Sequence, residues 1–352
     1  MAGVLQGVTV IELAGIGPGP FCGMMLADHG ARVIRVERPA KPGRFGDGGN
    51  RDILNRNRER IELDLKSPAD IERLKELAKT ADALIEGNRP GVLERLGIGP
   101  DVLLAINPKL VIGRMTGWGQ DGPMAPLAGH DINYIALSGA LHTYGRKGER
   151  PIFPTNAVGD FGGGGMMLAF GVVSAILHAR SGGPGQVVDC AMVDGAAILS
   201  AMTYTFFGNG QWRDERGVNM LDSGTHFYDT YETGDGKWIS LGSIEPQFYA
   251  LLLEKTGLAE DPDFAQQLNP AKWPDLKDRM AALILTKSRD EWCAIMDDTD
   301  ICFAPVLSLK EAPQHPHNVA RGTFVEEGGM VQPAPAPRFS ATPAPPVAMA
   351  GR

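Results

Sequence analysis

Runs of β-branched residues alternate with amphipathic helical stretches through the first half of the chain. Such an alternation buries its apolar residues best as a parallel sheet with helical crossovers. One crossover helix has a clear beginning, because Ser67 suits the N-cap position and Pro68 the first helical turn. We therefore predict an α/β fold class. The predicted strands are 8–13, 32–37, 83–86 and 110–115.

The second half of the chain predicts a further, smaller unit. An apolar glycine-rich helix follows Asp160, and a strand at 186–190 is predicted to be buried. Beyond residue 210 come a strand at 237–242, a helix opening at Pro246 and a capping box at 288–291. From Gln332 the chain is rich in Pro and Ala. The predicted organisation is a large domain over 1–210, a smaller mixed α/β domain over 211–330, and a return segment and tail over 331–352.

Composition narrows the class of protein. With 352 residues, of which 43% are hydrophobic, the chain can bury a sizeable core. The apolar stretch 161–177 is shorter than a bilayer span and contains five glycines, so we interpret it as a buried helix. The N-terminus lacks the pattern of a secretory signal. The net charge of −8 argues against a surface that binds nucleic acid. We expect a cytoplasmic protein without a membrane or nucleic-acid partner.

The four cysteines show no CxxC pair and lie in apolar surroundings. This pattern favours buried, reduced thiols over disulfides or a zinc site. We predict no metal.

The turn at 15–20 imitates a dinucleotide-binding loop between a strand and a helix. A dinucleotide turn requires G-x-G-x-x-G so that phosphates meet bare helix amides, but Pro20 and Cys22 occupy the positions three after Gly17 and Gly19. Proline has no N–H to donate. The sequence therefore favours a structural turn over nicotinamide binding, while Arg38 stands where an anionic ligand could lie.

Two titratable side chains, His130 and Asp160, are set among glycines that permit close approach of backbone and ligand. Imidazole takes up and releases protons near neutral pH. Burial against the apolar helix would raise the pKa of the Asp160 carboxyl, so that this group could act as acid and as base. The pair is typical of a proton-transfer site, although a His followed by Asp is also a common structural pair.

Several stretches in order carry a family resemblance: the chain is similar to the racemases of the family III CoA-transferase superfamily, which act on 2-methylacyl-CoA thioesters. The resemblance runs from Leu5 to about Ser340. It implies a large Rossmann-like domain, a smaller domain and an interlocked homodimer. The matching stretches are 10–13, 18–21, 63–66, 117–120, 128–134, 159–161 and 242–249.

The resemblance also implies roles for residues. His130 and Asp160 would each be the base for one enantiomer in a 1,1-proton transfer, and Asn156 and Glu245 would orient them. Glu245 lies in the smaller domain, which in this family covers the large domain of the other subunit, so the active site would be shared. Coenzyme A is part of the substrate, and no other cofactor is implied. The activity belongs to lipid and fatty acid metabolism.

Coenzyme A needs cations for its phosphates and an apolar slot for its adenine. Backbone amides near His130 or at the helix start after Asp160 would stabilise the enolate oxygen. The candidate binding residues are Arg38, Leu63, Asp64, Leu65, Lys66, Arg89, Arg95, Gly129, Asp131, Ile132, Asn133 and Tyr134.

Two departures and two rival functions stay open. Racemases commonly read Leu-Asp-Gly-Gly-Ala-Pro-Phe-Tyr where this chain has Ser223-Gly224-Thr225-His226 in the middle of the motif. The Pro- and Ala-rich tail up to Arg352 does not predict the final amphipathic helix that is frequent in the family. A CoA-transferase would use Asp160 as a nucleophile, but transferases generally lack a histidine matching His130. A CoA- or nucleotide-binding regulator without turnover is the rival from another class.

Overall fold

A computed structural model describes residues 3–39 and 52–349. The chain divides into a larger unit, Met1–Ala140, Phe153–Ala201 and Arg321–Arg352, and a smaller unit, Leu141–Ile152 and Met202–Ala320, each as far as these residues are described. The domain spans drawn from the sequence were continuous, whereas each unit gathers separate segments of the chain. Those spans stay a prediction.

The larger unit is built on one parallel sheet, which confirms the predicted α/β class. Its strands are β1 (Thr9–Leu13), β2 (Arg32–Glu37), β3 (Glu59–Glu62), β4 (Ala83–Glu86), β5 (Val111–Thr116) and β6 (Gln186–Ala191). They pair in the order β3-β2-β1-β4-β5-β6. Because all six strands are parallel, their carboxyl ends lie along one edge of the sheet, where α/β proteins bind their ligands.

The two edge strands explain where the strand predictions failed. The four predicted strands occur within one residue of the expected bounds. The sequence did not reveal β3 because its residues, Glu-Arg-Ile-Glu, lack an apolar run. The prediction that β6 is buried was wrong over most of its length, since only its last two residues, Cys190 and Ala191, are buried. An edge strand has one neighbour and faces more water, so it needs less apolar character.

Helices connect these strands and continue through the smaller unit. A ten-residue π-helix, Ala157–Met166, precedes α6. Short 3₁₀ turns occur at Ile53–Asn55, Ala140–Thr143, Phe264–Gln266 and Ala312–Gln314. The α-helices are α1 (Pro18–Asp28), α2 (Pro68–Ala78), α3 (Val92–Arg95), α4 (Pro100–Ile106), α5 (Asp131–Leu137), α6 (Met167–Arg180), α7 (Met192–Leu199), α8 (Ala201–Gly208), α9 (Pro246–Thr256), α10 (Trp273–Ile284), α11 (Arg289–Met296) and α12 (Pro316–Arg321).

The apolar stretch 161–177 differs from the expected buried helix. It spans the end of the π-helix and most of α6, and one face of α6 is open, with Phe170 73% exposed and Leu177 67% exposed. Among the described residues, Ala157–Arg180 is long and apolar enough to cross a membrane by length and composition. Core helices of soluble proteins meet the same criterion.

Apolar residues cover both faces of the parallel sheet. Val10, Val33 and Val111 pack beneath α1 and α6, while Ile11 and Leu84 face α2 and α4. A buried ion cluster lies inside this unit: Glu12 of β1 pairs with Arg35 of β2, its register neighbour, and with Arg58, whose Nε is 3.1 Å from Glu12 Oε2. Burial raises the pKa of the Glu12 carboxyl against the two arginines.

The C-terminal return segment belongs to the larger unit. It contains the hairpin of β10 (Phe324–Glu327) and β11 (Met330–Pro333). Arg56 binds this segment, donating to Gln332 Oε1 at 2.9 Å and to the Pro333 carbonyl at 2.7 Å, while it pairs with the buried Asp28.

The smaller unit has its own antiparallel sheet and core. Its strands β7 (Tyr228–Glu232), β8 (Trp238–Gly242) and β9 (Phe303–Val306) pair in that order. Phe227, Leu252, Met280 and Trp292 are central to the core. The predicted capping box at the start of α11 is confirmed, since Ser288 N donates to Glu291 Oε2 at 2.8 Å and Glu291 N to Ser288 Oγ at 3.3 Å.

Two residues of the segment that departs from the racemase pattern are buried in the smaller unit. Thr225 and His226 are buried, and His226 Nε2 is 2.7 Å from the Tyr249 hydroxyl. Burial, and then the charge of Lys277, lower the pKa of His226 to about 4. Ser223 has a φ of +75°, the left-handed conformation that favours glycine, the residue that the family resemblance leads us to expect there.

All four cysteines lie within the described residues and are free thiols. Cys22 and Cys190 are buried as expected, and burial raises the pKa of the Cys190 thiol to about 12. The expectation of burial was wrong for the other two, because Cys302 is exposed and Cys293 half-buried.

Candidate active site

The start of α5 and the start of the π-helix bring His130 and Asp160 into one site in the larger unit. His130 is the N-cap of α5 and is exposed, and Asn133 Oδ1 accepts a hydrogen bond from its backbone amide at 3.0 Å. Asp160 is the fourth residue of the π-helix and is half-buried. The two side chains are close enough for the charge of His130 to lower the pKa of Asp160.

Hydrogen bonds hold the Asp160 residue at two points. Asn156 Nδ2 donates to Asp160 Oδ2 at 3.0 Å, and the Asp160 backbone amide donates to Asp131 Oδ1 at 2.7 Å. The N-terminus of α1 also reaches this carboxylate, since a Cβ on Gly17 would lie 3.4 Å from Asp160 Oδ2. Gly17 has a φ of +66°. Of the three glycines in the 15–19 turn, Gly17 therefore lies against Asp160, whereas Gly15 and Gly19 border open space.

Burial is the main cause that raises the pKa of the Asp160 carboxyl above its ordinary value. The hydrogen bond from Asn156 opposes this effect, the negative charge of Asp131 adds to it, and the charge of His130 opposes it. A raised pKa brings a carboxyl group closer to the range in which it can both take up and release a proton. This is the property that reversible proton transfer requires.

Tyr134 stabilises the loop that carries His130. Its hydroxyl donates to the Gly129 carbonyl, and its ring meets Trp118 edge-on at a centroid distance of 4.8 Å. Burial, and then the charges of Asp160 and Asp131, raise the pKa of Tyr134 to about 12. The hydroxyl is thus neutral, and its proton is already donated to the Gly129 carbonyl. Tyr134 contributes to the site by holding Gly129 in place.

Glu245 is the N-cap of α9 in the smaller unit and is exposed. Its side chain makes no capping hydrogen bond, so Glu245 does not act as a simple helix cap. Its predicted partnership with His130 stays a prediction.

The charged candidate residues for coenzyme A follow three strands of the sheet, on loops except for Arg95, which ends α3. Arg38 follows β2, the 63–66 segment follows β3, and Arg89 and Arg95 follow β4. The side chains of all three arginines and of Lys66 are exposed. The segments that follow β2, β3 and β4 therefore carry four exposed cations.

Within the 63–66 segment the side chains have different roles. Leu63 is buried in the core beneath β2, and Leu65 packs against the same cluster. Asp64 Oδ1 accepts from the Lys66 amide at 3.0 Å, so this carboxylate stabilises a turn. Ile132 and Asn133 are exposed on the first turn of α5, while Asp131 is buried.

Sequence analysis missed the contact from Asp131 to the Asp160 amide. A signal for it exists in Gly159, where a Cβ would come within 2.6 Å of Asp131 Oδ1. The Gly-Asp pair marks a position where another element touches the backbone just before Asp160.

Residues 5–350 match the profile of the family described as CoA-transferase family III. The chain is 46% identical over 346 residues to the α-methylacyl-CoA racemase of Mus musculus, covering 98% of this chain and 89% of that protein. It is 45% identical over 343 residues to the human α-methylacyl-CoA racemase, covering 97% and 87%.

A solved structure has the same fold. The crystal structure of a CAIB/BAIF family protein from Brucella suis superposes with a TM-score of 0.82 at 26% identity, covering 98% of this chain and 95% of that one. The resemblance seen in the motifs therefore extends over nearly the whole chain.

Proposed function

Because the chain belongs to CoA-transferase family III, we propose that it is one of the racemases of that family. Such an enzyme is an isomerase that epimerises the 2-methyl centre of branched acyl-CoA thioesters. The observation that carries the proposal is the pairing of His130 with Asp160, a carboxyl group whose pKa is raised, at one site. The similarity to two α-methylacyl-CoA racemases over more than nine-tenths of the chain supports it.

The reaction needs one group to remove the α-proton and another to return a proton to the opposite face. His130 and Asp160 come from different elements, α5 and the π-helix, and so can approach a bound α-carbon from two sides. In one direction Asp160 takes the proton and the protonated His130 donates; in the other the roles reverse. Inversion follows when the enolate is reprotonated from the face opposite to deprotonation.

The developing enolate oxygen needs hydrogen-bond donors. The Asp160 amide is already bonded to Asp131, so the amide at this position is not available. The first amides of a helix have no intrahelical partner, and in α5 these belong to Asp131 and Ile132, next to His130. We assign the enolate oxygen to these amides.

Coenzyme A is the part of the substrate that supplies binding energy. Arg38, Arg89, Arg95 and Lys66 would bind its phosphates at the carboxyl edge of the sheet, and Leu65 would border the adenine. This energy positions the α-carbon between the bases. The thioester itself acidifies the α-proton, so the proposed reaction uses no metal and no further cofactor.

We also propose that the protein works as a homodimer. Phe170, Val173 and Leu177 form an exposed stripe at helical spacing on α6, and α8 has no buried residue although it carries Met202, Tyr204 and Phe207. Exposed apolar faces of this kind are typical of protein–protein interfaces. A second copy would cover them and bring its Glu245 to His130, as the family resemblance implies. We also propose a cytoplasmic location. As the family resemblance implies, we further propose a role in lipid metabolism.

A CoA-transferase is the second candidate, supported by the name of the family and by the half-buried Asp160 as nucleophile. His130 argues against it, because acyl transfer through an aspartyl anhydride does not need a second base. A CoA-binding regulator would need neither residue.

Proton NMR separates these functions. Each of (R)- and (S)-2-methylacyl-CoA is incubated with the protein in D₂O, and loss of the α-proton signal is followed together with chiral analysis. Loss of the signal with convergence of both samples on a mixture of epimers supports the racemase. Acyl exchange with an added carboxylic acid, without α-proton loss, supports the transferase. Neither event supports a binding protein.

A further inference from the structure

Asp131 is a buried carboxylate whose hydrogen bonding is incomplete. It begins α5, is 5% exposed, and accepts the Asp160 amide at Oδ1. Its Oδ2 is buried and has no hydrogen-bond partner among the described residues. Burying a carboxylate oxygen without a partner costs stability. A residue retained at such a cost beside a catalytic group is a candidate for a functional role.

The contact between Asp131 and the π-helix is direct. A Cβ on Gly159 would come within 2.6 Å of Asp131 Oδ1 and within 3.3 Å of its Cα. The backbone of α5 and the backbone before Asp160 are therefore packed without a side chain between them. A shift of Asp131 would move the residue that carries the second base.

Charged groups near Asp160 come from several elements. The π-helix contributes Asn156 as a neutral donor, and α5 contributes His130 and Asp131. Tyr134, also on α5, is close enough to respond to the Asp160 charge. The α1 N-terminus contributes the uncharged Gly17, and Asp194 of α7 acts on Asp189 and Cys190. Asp131 is thus the negative charge that adjoins the catalytic carboxylate.

We propose that Asp131 is a positioning residue for the Asp160 base: its Oδ1 holds the Asp160 amide, and the direct packing of α5 on Gly159 sets its carboxylate beside that residue. This inference rests on the proposed racemase function. It assigns to the Asp131 side chain a role apart from contact with coenzyme A.

Two substitutions separate the two effects. Asp131→Asn keeps an oxygen that can accept the Asp160 amide but removes the charge. We expect α-proton exchange to fall less than about tenfold, and the acidic limb for the enantiomer deprotonated by Asp160 to move to lower pH. Asp131→Ala removes both, and we expect a loss of roughly 100-fold, the size typical of a small misplacement, chiefly for that same enantiomer.

A measurement without substrate makes the test independent of the reaction. Aspartate carboxyl groups labelled with ¹³C are titrated by NMR in the wild type and in Asp131→Asn, with the Asp160 signal assigned from Asp160→Asn. Asp194→Asn is the matched control, because it removes an aspartate from another helix packed on the π-helix. We expect the pKa of Asp160 to fall in Asp131→Asn and to stay unchanged in Asp194→Asn.

The outcomes are distinct. An unchanged Asp160 titration in Asp131→Asn, or equal losses for both enantiomers in Asp131→Ala, overturns the positioning role. If the wild type exchanges no α-proton, the racemase function fails, and the carboxyl titration still decides whether Asp131 acts on Asp160. If Asp131→Ala does not fold, the Asp131→Asn titration and pH profile decide alone.

Discussion

Asn156 donates a hydrogen bond from Nδ2 to Oδ2 of Asp160 at 3.0 Å across one turn of the π-helix. This bond favours the ionised carboxylate and so opposes the burial that raises the pKa of Asp160. Asn156 therefore influences the protonation of Asp160, the base that we propose for this site.

Removing that bond should raise the pKa of Asp160 further. In Asn156→Ala we expect the acidic limb of α-proton exchange to move to higher pH for the enantiomer that Asp160 deprotonates, since the base must be ionised. On the acidic side of that limb the rate should fall roughly tenfold, the size of the effect of one lost hydrogen bond to a charge. The exposed asparagine Asn209 provides the control variant Asn209→Ala. A limb that stays in place would contradict this assignment.

Each base should matter most for one enantiomer. His130→Ala should reduce exchange chiefly from one epimer and Asp160→Ala chiefly from the other, by about 10²- to 10⁴-fold, the usual contribution of a general base. Exchange in D₂O is measured separately for (R)- and (S)-2-methylacyl-CoA. His317→Ala, on the exposed face of α12, is the matched control. Equal residual exchange from both epimers in both variants would rule out this division of labour.

The arginines at the carboxyl edge should bind phosphate. We expect Arg38→Ala, Arg89→Ala and Arg95→Ala each to weaken coenzyme A binding roughly tenfold, or about 1.4 kcal/mol, with reduced dependence on salt. Isothermal titration with coenzyme A and with dephospho-coenzyme A would show which arginine meets the 3′-phosphate. Arg213→Ala, in the smaller unit, is the control for general charge. Unchanged affinity in all three variants would place the nucleotide elsewhere.

Ser223 should be improved by glycine. Its φ of +75° strains a residue with a side chain, so Ser223→Gly should stabilise the protein by about 1 kcal/mol in urea unfolding. Ser181 has a φ of −81° at the end of α6, and Ser181→Gly should destabilise because glycine gains more freedom on unfolding. If both substitutions shift the urea midpoint in the same direction, relief of backbone strain at Ser223 does not explain the change in stability of Ser223→Gly.

The buried pair of Arg56 and Asp28 should be essential to the larger unit. Both side chains are 2% exposed, so Arg56→Ala leaves a buried carboxylate without its charged partner and should cost about 3–5 kcal/mol. It should also release the return segment, measured as faster amide hydrogen exchange over 324–333. The exposed pair of Arg32 and Glu59 offers the comparison, and Arg32→Ala should leave the unfolding midpoint nearly unchanged. Equal losses of stability in Arg56→Ala and Arg32→Ala would mean that burial does not determine how much each ion pair contributes to stability.

The sequence alone determined the α/β class, the strands at the centre of the sheet, the capping box of α11 and the candidate bases His130 and Asp160. These features leave local signals, because periodicity, caps and motifs depend on neighbouring residues. Only the tertiary structure decided that β3 and β6 are edge strands, that one face of α6 is open, that His226 is a core residue, and that Asp131 holds the Asp160 amide. Each of these depends on which distant segments pack together, and a contact between distant segments leaves no local pattern in the chain.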